Sequence, residues 1–585
     1  PCRIDPFNTT GPQTGVCGAD GDVIVARNLA RAIAAGAAAH SDHGRDILEV
    51  LFDIGCNKTK DYTISDKAKL CSLAQEFGIE SEEIQTREVA KKLAWEMMEE
   101  FGIRKNSLTF INRAPDHRKD LWKKLGITPR GIDRENIEAL HRTHMGVDND
   151  YINILLHGLR TSLSDGWGGS LIATELSDVI FGTPKPVESK VNLGVIRPEY
   201  VNIALHGHNP LLSDAIVQAA EAPDLKNMAV QNGAKGINLV GLCCTGNELL
   251  MRKGVPMAGN HLMQELAIMT GALEAVVVDY QCIMPAITNI AKCYHTKIIS
   301  TSDKAKFTGA SHINFNPQIG FETGKEIVTA AIKNFSKRIP QKISIPSEPV
   351  SMMAGFSAES IIAALGGTPE PLINAIKGGK IRGVAGIVGC NNPKIKQDYG
   401  HITLTKRLIE KDILVAVTGC AAIADGKDGL LMPDAAESAG PGLREICRSL
   451  SIPPVLHMGS CVDNTRIVTL ASALAKYLGI DINMLPLAGA APEWYSEKAI
   501  SMGAYAVAAG IFTVLGVQPA IFGSPNVVKL LTEGLEDVIG AAFAVEPDPE
   551  RSAILIQRHI EKKRKALDMP ALDVASIDMP VKNSE

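Results

Sequence analysis

One short pattern recurs through the chain and constrains it more than any other: an apolar run that ends at a thiol. Ile452 to Arg466, IPPVLHMGSCVDNTR, opens with Pro454-Val455-Leu456, passes Gly459 and reaches Cys461. Asp463 and Asn464 then suit the start of a helix. Four further runs follow the same order: Gly236–Leu242 into Cys243 and Cys244, Ala275–Gln281 into Cys282, Gly383–Gly389 into Cys390, and Ile413–Gly419 into Cys420. Each run reads as a buried strand with its thiol at the carboxyl end, the edge at which open α/β sheets bind ligands. Taken singly, each thiol is a small residue that packs well after a strand. Repeated through one chain, the pattern points to a shared metal or iron–sulfur site.

The 585 residues suffice for three or four domains. A formal charge of −5, with no basic stripe, excludes a nucleic-acid binder. The short basic run Lys562–Lys565 suits the C-terminal end of a helix. No charge-free apolar stretch is long enough to span a bilayer, and no signal peptide is visible, so the expectation is a cytoplasmic protein. Twelve cysteines in a chain of this kind argue for metal binding rather than disulfides.

Gly and Pro punctuation and helical apolar spacing predict a helical N-terminal domain over 1–185. Within it, His40 and His43 share one helical face, which on spacing alone reads as solvated, and Ser164 to Gly169 reads as a loop around Asp165. From Val191 the texture becomes βα alternation. It predicts two Rossmann-like parallel α/β domains, 186–345 and 346–585, joined by a linker over Gln341–Val350. The strand Tyr200–Leu205 leads into His208, a sixth candidate ligand beside Cys244, Cys282, Cys390, Cys420 and Cys461. Five thiolates and one imidazole favour thiophilic metals and exceed the four ligands of a simple cubane. Cys2 and Cys17 make half of a four-thiolate site. Cys56 and Cys71 are candidates for the other half, but each lies in an ordinary helical context, and two further cysteines are expected upstream of Pro1.

At these residues the chain resembles the nickel–iron carbon monoxide dehydrogenases over almost its whole length. The motifs are HGHNP at His208, GLCCTGNE at Cys244, DYQC at Cys282, GCNN at Cys390, TGC at Cys420, HMGSCVDN at Cys461 and AHSDHGR at His40. The resemblance implies an enzyme that interconverts CO and CO2 at a Ni–4Fe–4S-type cluster. Cys461 would hold nickel, His208 and Cys244 an outlying iron, and Cys282, Cys390 and Cys420 the other irons, with Cys243 a bystander. Lys498 would face the substrate oxygens. His40 would be the acid/base partner, with His43 following it and Asp165 behind it. Cys2 and Cys17 would bind half of a [4Fe–4S] relay cluster.

It further implies a homodimer, a ferredoxin-like electron carrier and an acetyl-CoA synthase subunit as a candidate partner. Two features depart from the family. Where some relatives continue a histidine ladder beyond His43, this chain has Asp46 and Glu49, and Met502 stands where a branched aliphatic is expected. The competing implication is a hybrid-cluster enzyme of the same scaffold that reduces hydroxylamine-like substrates.

Overall fold

The computed structural model describes residues 4–5, 7, 10–82, 84–102, 106–346 and 348–577. Among these, everything before residue 187 is helix or connection. The organising element is α1 (Gly21–Gly55), capped by Asp20, whose carboxylate accepts from Val23 N at 2.9 Å. At about 1.5 Å per residue it is a rod of roughly 50 Å. Two of its glycines let neighbours touch its backbone. A Cβ on Gly36 would lie 2.3 Å from the Glu497 carbonyl oxygen, and one on Gly44 would lie 2.5 Å from that of Gly169.

The expected loop at Ser164–Gly169 is instead continuous helix. Tyr151–Ser164 runs through one π-helical turn, Asp165–Gly169, into Ser170–Phe181, all of it buried at that turn. The glycines there serve packing rather than turning. A Cβ on Gly166 would strike the Tyr505 ring at 2.3 Å, and one on Gly169 would strike the Ser41 backbone at 2.7 Å. A π turn inside a helix re-aims the side chains around it, and here the residue it carries is Asp165.

The rest of the chain forms two sheets. The first comprises β1 (Val187–Val191), β2 (Val201–His206), β3 (Ile237–Leu242), β4 (Met257–Gly259), β5 (Leu273–Val278), β6 (Lys297–Ser300), β7 (Ser311–His312) and β8 (Val350–Ala354). The second comprises β9 (Gly383–Ile387), β10 (Ile413–Thr418), β11 (Val455–Gly459), β12 (Leu487–Ala491), β13 (Phe512–Leu515) and β14 (Phe543–Val545). The spatial orders are β7-β6-β5-β2-β3-β4-β1-β8 and β11-β10-β9-β12-β13-β14. All neighbours are parallel except β1 and β8. Counted from β2 and from β9, both sheets therefore carry the doubly wound order 3-2-1-4-5-6. The segment expected as a linker ends in β8, which pairs antiparallel with β1 (Val187 opposite Ala354), so the first sheet extends beyond residue 345.

The central strands are apolar on both faces, as helix-covered parallel strands require. In β2, Ile203 and Leu205 enter one core and Ala204 the opposite one. The second sheet shares its core with the N-terminal helices. No helix among the described residues is long and apolar enough to cross a membrane.

Candidate metal centre

The doubly wound order puts a switch point between β2 and β5 in one sheet and between β9 and β12 in the other. Connections leave these strand pairs in opposite directions and open a crevice. His208 and Cys282 follow β2 and β5, while Cys390 and Lys498 follow β9 and β12. Cys244, Cys420 and Cys461 follow the adjacent strands β3, β10 and β11.

At each strand end a left-handed residue turns the chain toward the crevice. Gly207 (φ 135°) precedes His208, Cys243 (58°) precedes Cys244, and Gln281 (66°) precedes Cys282, itself at 58°. Gly389 (109°) and Gly419 (60°) precede Cys390 and Cys420, and Gly459 (131°) lies two residues before Cys461. Two of these glycines are demanded by space as well. A Cβ on Gly207 would fall 1.9 Å from Asp279 Oδ1, and one on Gly459 would fall 2.3 Å from Asp463 Oδ2.

Those two buried carboxylates hold the turns. Asp279 accepts from the backbone N–H of His208 (2.7 Å) and of Asn209 (2.9 Å), and Asp463 accepts from Ser460 N (2.7 Å). Glu493 does similar work beside Cys390, accepting from Asn391 Nδ2 and Gly400 N, each at 2.8 Å. None of the three carboxylates is marked by the sequence as a turn holder. Asp279 directly follows β5, while Asp463 and Glu493 lie four and two residues past β11 and β12, and an acid near a strand end also suits an ordinary helix cap.

The turned side chains meet. The ligand atoms of His208, Cys244 and Cys461 lie within 4.8 Å of one another, as do those of His208, Cys243 and Cys282. Cys420 packs with Cys243 and Cys244 in a cluster made of cysteines. Cys390 lines a cavity of about 70 Å³ together with Cys461, Lys498 and His40. Cys243, expected as a bystander, points its thiol into the group. His261, not anticipated from sequence, has Nδ1 3.6 Å from Cys420 Sγ.

The charges suit metal ligation. Burial, then the nearby Lys498 ammonium, lowers His208 to about 4, so the ring is neutral with a free lone pair. Burial opposes the Lys498 charge, but the thiolates of Cys282, Cys461 and Cys244 outweigh it and hold the ammonium well above its ordinary range. Cys282 is held well below the usual thiol range by a hydrogen bond from Cys243, with the Lys498 charge helping it against burial. Burial and the neighbouring thiolates push Cys390 up to about 11. Five sulfurs and an imidazole, buried and converging with a cation beside them, fit an iron–sulfur-type metal centre.

His40 and His43 are not on a solvated face. They are 0% and 2% exposed, because that face of α1 packs inward, while Ala38, Asp42 and Arg45 keep the opposite face open to solvent. Asp165 accepts from Ser501 Oγ (2.5 Å), Ser170 Oγ (2.7 Å) and His40 Nδ1 (2.9 Å). His40 Nε2, and both ring nitrogens of His43, are buried without partners. His43 meets the edge of Tyr280 at 6.3 Å, the Tyr280 hydroxyl donates to Asp46 (3.1 Å), and Glu49 is exposed one turn further on. Met502 lines the 70 Å³ cavity, with its Sδ 3.8 Å from Ser170 Oγ.

Cys17 is exposed just before α1, and Cys2 lies outside the described residues. A separate acid–histidine group, Glu135, Glu138 and His157, is an ion-pair cluster rather than a metal site, since Arg130, Arg142 and Arg160 already engage its carboxylates.

Thiols and an imidazole raised on the switch points of two Rossmann-type sheets, with a charged amine and a carboxylate-held histidine in the same crevice, define a redox metalloprotein of the iron–sulfur class. The chain belongs to the Prismane/CO dehydrogenase family, whose model matches residues 1–550. It is 58% identical to carbon monoxide dehydrogenase 1 of Methanosarcina acetivorans, over 97% of this chain and 90% of that one. It is 42% identical to the beta subunit of the carbon monoxide dehydrogenase/acetyl-CoA synthase of Moorella thermoacetica, over 94% and 84% of the two chains. Among solved structures, the as-isolated nickel-free carbon monoxide dehydrogenase of Thermococcus sp. AM4 superposes with a TM-score of 0.96 at 55% identity, covering 97% of this chain and 90% of that one.

Proposed function

We propose that this chain is an anaerobic carbon monoxide dehydrogenase. It catalyses CO + H2O ⇌ CO2 + 2H⁺ + 2e⁻ at a Ni–Fe–S centre held by His208, Cys244, Cys282, Cys390, Cys420 and Cys461. The observation that carries this reading is the meeting of a soft donor set with a buried ammonium and an oriented, partnerless imidazole nitrogen in one crevice. In this reading Cys461 holds nickel, His208 and Cys244 an outlying iron, and the other three thiolates the remaining irons. When bound, the centre supplies a soft metal that takes up CO and an iron that acidifies water.

The protein's own groups supply the rest. Lys498 stabilises negative charge that grows on the substrate oxygens. His40 accepts the proton at Nε2 while Asp165 holds Nδ1–H in place. From there His43, the Tyr280–Asp46 pair and Glu49 mark a way to the surface. The cavity beside Cys461 adjoins a second, apolar one of about 220 Å³, which shares Ala499 and Gly503 with it and suits small neutral gases.

Two electrons leave per turnover, and Cys2 and Cys17 supply half of a [4Fe–4S] relay toward a ferredoxin-like carrier. Gly21, beside the Cys17 loop, lies nineteen helical residues from His40, about 28 Å along α1, too far for direct contact. The reading therefore includes further clusters, and it includes a homodimer on the family resemblance alone. Exposed Val16, Ile137, Leu140, Met145 and Val147 offer apolar surface near that loop for a second copy. A monomer by light scattering at micromolar concentration would remove the dimer. An acetyl-CoA synthase subunit belongs to the reading as a candidate partner because one relative is named a subunit of such an assembly, and a cytoplasmic location belongs to it as the expectation from the sequence.

The deciding experiment pairs anomalous scattering at the nickel edge with the Lys498→Met variant. Nickel at Cys461, and a loss of about 10²–10³ in CO-dependent viologen reduction with metals retained, is the expected result. A nickel-free centre in nickel-replete cells would favour the hybrid-cluster reaction instead, and full turnover without Lys498 would sink the assigned mechanism.

A further inference from the structure

Gln281 sits between the two groups assigned to proton and charge handling. Its side-chain oxygen accepts from Lys498 Nζ at 2.9 Å, and its Nε2 donates to the Ala39 carbonyl on α1, next to His40, at 2.9 Å. The other contacts of Lys498 Nζ are His208 Nε2 at 2.5 Å and Cys282 Sγ at 3.5 Å. Both of those atoms belong to candidate metal ligands: the single lone pair of the imidazole nitrogen is committed once a metal is bound, and a metal-bound thiolate keeps only a long, weaker contact. Of these three acceptors, the Gln281 amide oxygen is then the one short oxygen acceptor that holds the ammonium.

The backbone points the same way. Gln281 occupies the left-handed region (φ 66°), where a non-glycine side chain is uncommon and gains nothing by itself. Three of the other ligand turns place glycine directly before the ligand. A long amide kept at such a position is explained by what its side chain reaches.

We propose that Gln281 is the positioning residue for Lys498, tying the ammonium to the α1 turn that carries His40 so that both face one substrate position. A neutral acceptor is what this task requires. A carboxylate at the same place would pair with the ammonium and cancel the field directed at the substrate oxygens, whereas an apolar side chain would leave a long, rotatable amine untethered. The inference rests on the role assigned to Lys498 above.

The test uses the metal-loaded enzyme with Gln281→Leu and Gln281→Glu, alone and combined with Lys498→Met. Beside turnover it measures binding of azide, a linear triatomic anion isoelectronic with CO2, through its infrared stretch. In each single variant, nickel and iron contents should equal wild type, and the KM for CO, a neutral ligand, should hold. Turnover and azide affinity should each fall about tenfold, the scale of one mispositioned electrostatic contact.

In the Lys498→Met background Gln281→Leu should have no further effect, since the group it positions is gone. Equal effects in both backgrounds, unchanged azide binding, or loss of metal from both Gln281 variants would each overturn the proposal. A Lys498→Met enzyme with full turnover defeats the underlying reading of Lys498. A crippled Lys498→Met enzyme beside silent Gln281 variants defeats this inference alone.

Discussion

Replacing Asp165 by Asn tests the proton-handling half of the site without touching any candidate metal ligand. The carboxylate is fully buried and takes three side-chain donors, Ser501, Ser170 and His40. Asn keeps the size and one acceptor oxygen, and its amide can donate to a serine oxygen, so the local fold should persist. What changes is the hold on His40. A hydrogen bond to a charged partner is worth roughly 1.5–3 kcal/mol against about 0.5–1.5 for a neutral one. The imidazolium therefore loses about 1–1.5 kcal/mol of support, which is roughly a 5- to 13-fold smaller population of the protonated intermediate.

A second effect can exceed the first. If the new amide donates to Nδ1, the ring proton moves to Nε2, the partnerless nitrogen assigned as base, and the full general-base contribution of about 10²–10⁴ is lost. The expected outcome is at least a tenfold fall in CO-dependent viologen reduction, with nickel and iron unchanged by elemental analysis. His40→Gln should then add little on top of Asp165→Asn. Turnover within twofold of wild type at equal metal content would refute the role assigned to the pair.

Two further outcomes follow from buried groups away from that pair. Burial, then the Asp463 charge, raises Glu248 from 4.5 to about 7, although Arg252 and Ser460 engage it. The folded state thus keeps a proton that the unfolded chain gives up between about pH 4.5 and 7. Stability falls with rising pH across that window, by at most about 3 kcal/mol at 1.36 kcal/mol per unit. The metal-free protein should lose more melting temperature between pH 5 and pH 8 than Glu248→Gln does, and equal losses would show that Glu248 stays ionised. Separately, Gly503 lines both cavities, and the nearest atom to a Cβ there is Phe543 Cε1 at 3.6 Å, so a side chain fits but fills the passage. Gly503→Val should raise the KM for CO severalfold at constant kcat, and an unchanged KM would mean that gas enters elsewhere.

What could be read from the chain, and what could not, divides along a physical line. The strand-end thiols were readable because an apolar run, a glycine and a small polar residue are all local signals. The 3-2-1-4-5-6 orders were not, because strand pairing is a long-range choice. Ser164–Gly169 reads as a loop because glycine reports conformational freedom and close packing with the same letter. Only the Tyr505 ring against Gly166 and the Ser41 backbone against Gly169 separate the two. The spacing of His40 and His43 fixes that they share a face but not what covers it, and it is this face, not the one carrying Asp42 and Arg45, that packs inward. Asp463 reads in the sequence only as a helix start although it also holds Ser460 N, and the roles of Asp279, Glu493 and Gln281 do not show because their partners are backbone groups and side chains far away in sequence.

The same geometry bears on how the two α/β units come to share one centre. Three candidate ligands follow strands of the first sheet and three follow strands of the second, so neither unit alone offers a closed donor set. The seam between them is polar and already paired. Asn247 Nδ2 donates to the Cys243 carbonyl at 3.0 Å and reaches the Gly419 carbonyl of the other unit at 3.5 Å, while His457 Nε2 meets its Oδ1 at 2.8 Å. Ser460 Oγ contacts Glu248 across the same line at 2.6 Å. Asp178, in the N-terminal helices, pairs with Arg252 from one unit and Arg466 from the other. These contacts align the two crevices through groups other than the candidate ligands, so the ligand side chains need not themselves hold the two units in register. A metal gripped from both sides binds the docked arrangement and not the separated one, and its binding energy therefore adds to the stability of the whole chain.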